Sequence, residues 1–146
     1  MRTLRDFGAI LCDLDGVITK TAALHAAAWK RLFDEYLMKL AARTGSPWAP
    51  FRLKEDYSLY VDGKLRQDGV KGFLESRGLA LPLGSPDDLA DKDTVIGLAS
   101  KKDEYFDAAL RVSGVVVYPG TIQYLHSAKA AGLKAAVVSS SHHCRE

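Results

Sequence analysis

Two aspartates set one residue apart close an apolar run in Ala9-Ile10-Leu11-Cys12-Asp13-Leu14-Asp15-Gly16. The run reads as a buried strand over residues 9–13. Residues i and i+2 of a strand point the same way, so Asp13 and Asp15 address one place beyond its carboxyl end. Open α/β sheets bind ligands there. Two carboxylates at a buried strand end require a cationic or phosphorylated partner. Their oxygens suit Mg2+. A metal would cancel the repulsion between Asp13 and a phosphate dianion. One carboxylate could then attack phosphorus while the other moves the proton. Gly16 lets the backbone turn sharply beside a ligand. The bland alternative is a strand followed by an Asp-Gly turn capped by Asp15, but that turn has no need of Asp13.

The elements that must position this pair can be read along the chain. After the first strand, Thr19 or Thr21 can cap a helix over residues 22–42. Leu24, Ala28, Leu32, Tyr36 and Leu40 share one face of it, with Trp29, Phe33 and Leu37 alongside. An irregular passage and a short helix up to Tyr60 follow. A helix from Leu65 or Arg66 to Arg77 is closed by Gly78. A long helix spans residues 93–110. Val115-Val116-Val117 is extended, and Thr121 caps a helix to Ala131, closed by Gly132. Leu133 to Val138 is a second buried strand. About ninety residues between the two strands are therefore mainly helical, too many for an ordinary crossover. The expected fold is α/β: a partial parallel core from residues 1–20 and 113–146, with a helical cap inserted at residues 21–112.

Ser139-Ser140-Ser141 follows the second strand and offers hydroxyls and amide protons to an anion. Ser139 could also be only a helix-start serine, and Ser141 could cap a following helix. Arg66 reads by itself as a solvated first-turn residue, and Lys101 and Lys102 as solvent-facing. His25 on an amphipathic helix is more often packed than catalytic. His142 and His143 are adjacent, do not share a helix face, and read as an exposed tail.

Taken together, these segments resemble the β-phosphoglucomutase-like hydrolases of the haloacid dehalogenase superfamily, whose first motif is an apolar strand ending in D-x-D-G. Thr21 and His25-Ala26-Ala27-Ala28-Trp29 match the opening of that family's cap. Tyr60 to Val70 matches its cap loop and helix, and Lys101 to Phe106 its lysine-bearing cap helix. Tyr118-Pro119-Gly120 leads to the second motif at Val137-Val138-Ser139. The resemblance implies that Asp13 is a nucleophile and Asp15 a general acid/base. It implies Mg2+ held by Asp13 and the Asp15 carbonyl, and a phosphoryl group bound by Ser139. It also implies a distal phosphate held by Arg66 and Lys102, and a hinge-side His25 that helps position Asp15. Residues past the second motif, such as Ser141, His142 or His143, could touch phosphate. The superfamily's third motif, a lysine, and its fourth, an acidic pair, follow the second, yet Glu146 stands seven residues past Ser139. The expectation is an amino-terminal part of a longer protein or a truncated reading frame, which turns over poorly alone.

Composition narrows the remaining classes. The 146 residues are 47% apolar, and 20 basic residues nearly balance 18 acidic ones. No basic block or aromatic-interleaved stripe points to nucleic acid. Cys12 and Cys144 form neither a disulfide framework nor a zinc pattern. No signal-peptide core or bilayer-length apolar stretch is present, so a reducing cytoplasm is the default. The partner expected is a small phosphorylated sugar, together with a missing carboxyl-terminal core segment or a second copy of the chain. The alternative function is a non-catalytic module that binds a phosphometabolite or a partner. A receiver-like phosphoacceptor fits less well, because a helical insertion directly follows the first strand.

Overall fold

The computed structural model describes residues 6–139, so Ser141, His142, His143 and Cys144 lie outside the described residues. The chain divides into two compact units, residues 1–23 with 114–146 and residues 24–113.

The first unit is built on two parallel strands, β1 (Ala9–Cys12) and β2 (Lys134–Val137). Ala9 lies opposite Lys134 and Cys12 opposite Val137. The extended piece before the α-helix of this unit is tied to the loop after β1. The Lys20 amide donates to the Val116 carbonyl at 2.7 Å and the Tyr118 amide to the Ile18 carbonyl at 2.9 Å. That helix (Pro119–Ala130) starts at Pro119, two residues before the expected cap. Proline's fixed φ and absent N–H suit the first helical position. Thr121 lies inside the helix and donates its hydroxyl to the Val17 carbonyl at 2.7 Å. The helix closes on Gly132, whose φ is +86°. The Gly132 amide bonds the Lys129 carbonyl and the Leu133 amide bonds the Ala128 carbonyl. Ala128 and Leu133 are both buried, the apolar contact this stop favours. The turn delivers the chain directly into β2.

The strands differ from expectation in burial. β2 is exposed at all four residues, and in β1 only Cys12 is buried. Leu11 is 72% exposed and Val138 60%. Apolar composition marks a segment suited to burial, but burial itself comes from covering elements. Parallel sheets ordinarily have helices on both faces. Two strands and one helix leave much of this sheet open.

The second unit is helical. α1 (Ala22–Thr44) begins two residues before it. A π-helical stretch (Tyr57–Val61), α2 (Arg66–Ser76) and α3 (Val95–Ser113) follow, and the Pro119 helix of the first unit is α4. α1 buries Ala28, Trp29, Leu32, Phe33 and Leu37, while Leu24, Tyr36 and Leu40 of the expected stripe are only half-buried, so the buried face is centred on the Trp29, Phe33 and Leu37 side. α2 ends at a Gly78 stop of the same kind as Gly132, with the Leu79 amide on the Leu74 carbonyl. α3 starts at Val95, because the Thr94 hydroxyl oxygen accepts the Gly97 amide at 3.0 Å and caps the helix. Phe33 sits at the centre of the core at 0% exposure. Its ring centroid is 4.1 Å from Phe73, 5.1 Å from Phe51 and 5.3 Å from Trp29. On the rim of this core, the Tyr105 hydroxyl donates to Glu35 and its ring lies under the Arg31 guanidinium. Burial, then the Glu35 bond, pushes the phenol up to about 12.

Asp56 is the one buried carboxylate among the described residues, at 1% exposure. It accepts the Arg52 amide at 2.8 Å, the Arg52 guanidinium at 2.9 Å and Arg77 at 2.8 Å. It therefore ties the loop after α1 to the end of α2. Burial alone raises a carboxyl pKa. Here the Arg52 bonds and the Arg77 charge outweigh it and hold Asp56 below its ordinary value. A lowered folded value gives stability that is full above the unfolded value of about 4 and is lost as pH falls through the folded value. Asp56→Asn is expected to cost about 1–3 kcal/mol at neutral pH. It should also flatten the loss of stability below about pH 4. Urea melts from pH 2.5 to 7 check both, and a native-like acid limb in the variant would contradict the assignment.

Candidate active site

β1 ends at Cys12, so strand alternation does not display the two carboxylates. A loop does. Asp13 is exposed, and its carboxylate accepts the Leu14 amide at 2.8 Å. The Leu14 carbonyl in turn accepts the amides of Ile18 and Thr19, each at 2.9 Å. Gly16 makes this winding possible at φ +80°, and a Cβ there would lie 3.3 Å from the Ala22 Cβ. Asp15 pairs with Thr19 across an isolated bridge, and its carboxylate accepts the Thr21 hydroxyl.

Thr19 and Thr21 are both buried. Their hydroxyl oxygens are 2.8 Å apart, and Thr19 also reaches the Leu14 carbonyl at 3.1 Å. Two hydroxyl protons serve these contacts. The carboxylate is the strongest acceptor and takes the Thr21 proton. The threonines expected to cap α1 therefore make their recorded side-chain bonds within the loop, and Thr21 fixes the Asp15 carboxylate.

Ser139 reaches the same edge from the other strand. The Val138 amide donates to the Cys12 carbonyl at 2.8 Å, extending the pairing one step beyond β2. With Cys12 opposite Val137, Asp13 and Ser139 both follow at the carboxyl edge of adjacent parallel strands. Ser139 is half-buried.

Among the described residues, no three His, Cys, Asp or Glu side chains gather as a metal site. Mg2+ does not require three, since it keeps several waters and takes one or two carboxylates. The Asp13 carboxylate and the Asp15 carbonyl supply hard oxygens of the right kind, and so fit that ion as an open site. No helix among the described residues is long and apolar enough to cross a membrane.

The remaining site candidates lie in the helical unit. Lys102 is 3% exposed, whereas Lys101 is paired outward with Glu104 at 2.8 Å. Read alone, both lysines are expected to face solvent; the structure instead buries Lys102, the one the resemblance singles out. The Lys102 ammonium is 2.9 Å from His25 Nδ1 and lies against the faces of Phe106 and Trp29. An ammonium only donates, so Nδ1 accepts and the ring proton sits on Nε2. His25 stacks on Phe106 with centroids 3.9 Å apart. It is thus packed, as its bland reading has it, and also joined to a buried cation. Trp29 is core. Arg66, the first residue of α2, is neither solvated nor alone. It forms an ion pair with Asp103, whose other oxygen is 3.6 Å from Lys102. Burial lowers the Arg66 pKa, with Asp107 acting in the opposite sense. Sequence reading passed over Asp103, and the only signal for it was a carboxylate directly after the lysine pair.

A family model described as haloacid dehalogenase-like hydrolase matches residues 7–145. The chain is 50% identical over 138 residues to proteins named β-phosphoglucomutase from Mycobacterium bovis and Mycobacterium tuberculosis. The match covers 94% of this chain and 53% of each relative, so the chain spans about half their length. Among solved structures it is similar to CbbY from Rhodobacter sphaeroides, described in complex with phosphate. That likeness has a TM-score of 0.56 at 25% identity, covering 90% of this chain and 50% of the other. A hydrolase fold with an acidic loop at the carboxyl edge of a small parallel sheet is the class defined here. The chain belongs to the haloacid dehalogenase-like hydrolase family.

Proposed function

We propose that this chain carries the nucleophile half of a Mg2+-dependent phosphotransferase acting on a small sugar phosphate. The observation that carries the reading is the loop after β1. It holds Asp15 by the Thr21 hydroxyl and leaves Asp13 exposed at the edge that Ser139 also reaches. In this reading the Asp13 carboxylate attacks phosphorus and becomes an aspartyl-phosphate. Asp15 protonates the leaving oxygen and later removes a proton from the acceptor. Ser139 donates its hydroxyl to the transferring group. The helical unit serves as the cap, with Arg66 and Lys102 holding the distal phosphate. Mg2+, held by Asp13 and the Asp15 carbonyl, would neutralise the phosphoryl charge. Water as acceptor makes the chain a phosphatase, and a sugar hydroxyl makes it a mutase. The names of the mycobacterial relatives favour the sugar hydroxyl.

Removal of the metal tests this reading. With Mg2+ the chain is expected to turn over β-glucose 1-phosphate or a simple phosphate ester. Chelation should reduce the rate to background, and added Mg2+ should restore it. A rate indifferent to chelation would remove the ion from the account.

The open sheet favours a second reading. Leu11, Val137 and Val138 are more than half exposed, as in a module that docks against a partner or a second copy. Phosphoryl uptake at Asp13 separates the two readings.

A further inference from the structure

The contacts of Asp103 point to a role beyond holding two helices together. Its two carboxylate oxygens are divided between two cations, one facing Arg66 and the other Lys102. One carboxylate bridging two cations through separate oxygens has the contact pattern of a phosphate bound by two of its oxygens. The side chains are only 27%, 4% and 22% exposed for Arg66, Lys102 and Asp103, so water screens the group weakly. Asp107, one turn further along α3, also acts on Arg66. A purely structural role explains less. α2 and α3 already share a core through Val70, Phe73, Leu74, Val95, Leu98 and Ala99.

We infer that Asp103 is a specificity-determining residue: it is a built-in counter-anion that a ligand's distal group must displace from Arg66 and Lys102. This rests on the proposed distal-phosphate role of those two cations. The charges then set the selection. A phosphomonoester dianion brings two negative charges to the two cations and so exceeds the single charge of Asp103. A monoanion brings only what Asp103 already supplies, and gains nothing by replacing it. The ligand class selected is therefore the sugar phosphate dianion, over sulfate esters and sugar acids of similar shape.

The test is calorimetric binding of glucose 6-phosphate and glucose 6-sulfate to the full 146-residue chain and to Asp103→Asn, Asp103→Glu and Arg66→Ala. Asp103→Asn is expected to tighten glucose 6-phosphate about tenfold or more and to bring the sulfate into measurable binding. Asp103→Glu keeps a competing charge and should tighten neither. A structural role would instead weaken binding in Asp103→Asn. If Arg66→Ala abolishes binding while Asp103→Asn is unchanged or weaker, the phosphate subsite stands and the inference about Asp103 is overturned. If Arg66→Ala leaves binding intact, or no variant binds, the subsite reading fails and takes this inference with it.

Discussion

Asp13→Asn is expected to abolish phosphoryl capture, lowering its rate by on the order of 10³ or more, because an amide cannot serve as the nucleophile. The substitution is nearly isosteric. Asp13 is exposed, and its recorded bond is to the adjacent Leu14 amide, which an amide oxygen can also accept. Folding should be unaffected, and the melting curve should overlay that of the native chain. Loss of uptake with an unchanged melt therefore reports chemistry. Asp15→Asn should behave differently. It retains the nucleophile and an acceptor for Thr21, so phosphoryl uptake from a donor with a good leaving group persists while release slows. Uptake of BeF3− or of a phosphoryl group in Asp13→Asn at the native level would leave the nucleophile assignment without support.

Phe33→Ala carries the largest expected effect on stability. The side chain is fully buried and touches three other aromatic rings. Truncation removes the transfer free energy of the ring and leaves a cavity that rigid aromatic neighbours fill poorly. The expected cost is about 3–5 kcal/mol, a large share of the stability of a small domain. For a unit of this size that lowers the melting temperature by about 12 °C or more. Trp29 stacks directly on Phe33, so its fluorescence follows the transition. Phe33→Leu should recover most of the loss. A fall of less than about 3 °C in Phe33→Ala would show that the aromatic cluster does not organise this unit.

Where the sequence was legible, a local rule and the tertiary context agreed. The 3.6-residue spacing of Ala28, Leu32 and Phe33 defined the buried face of α1 because that face packs on the core. Gly78 and Gly132 marked helix ends because few other residues adopt positive φ. The Asp13-x-Asp15-Gly16 pattern located the acidic loop because the turn and the carboxylates both leave a signature. The misses have a common physical origin. Burial of β1 and β2 depends on covering elements, which strand composition does not encode. The start of α4 moved from Thr121 to Pro119 because the Thr121 hydroxyl found the Val17 carbonyl, a partner 104 residues away in sequence. Thr21 left its expected capping role for the same reason, having a carboxylate within reach. The π-helical geometry at Tyr57–Val61 has no short-range signature. The Asp103 bridge joins residues far apart in sequence, and periodicity reads such residues as solvated charges.

Chemical trapping tests the central claim most directly. The chain is phosphorylated with a small donor, reduced with borohydride and digested. Reduction converts an aspartyl-phosphate to homoserine, so the modified position can be read by mass. Homoserine in place of the first aspartate, and nowhere else, is the predicted result. Homoserine at residue 15 or elsewhere, or none under conditions where phosphate is released, would contradict the account.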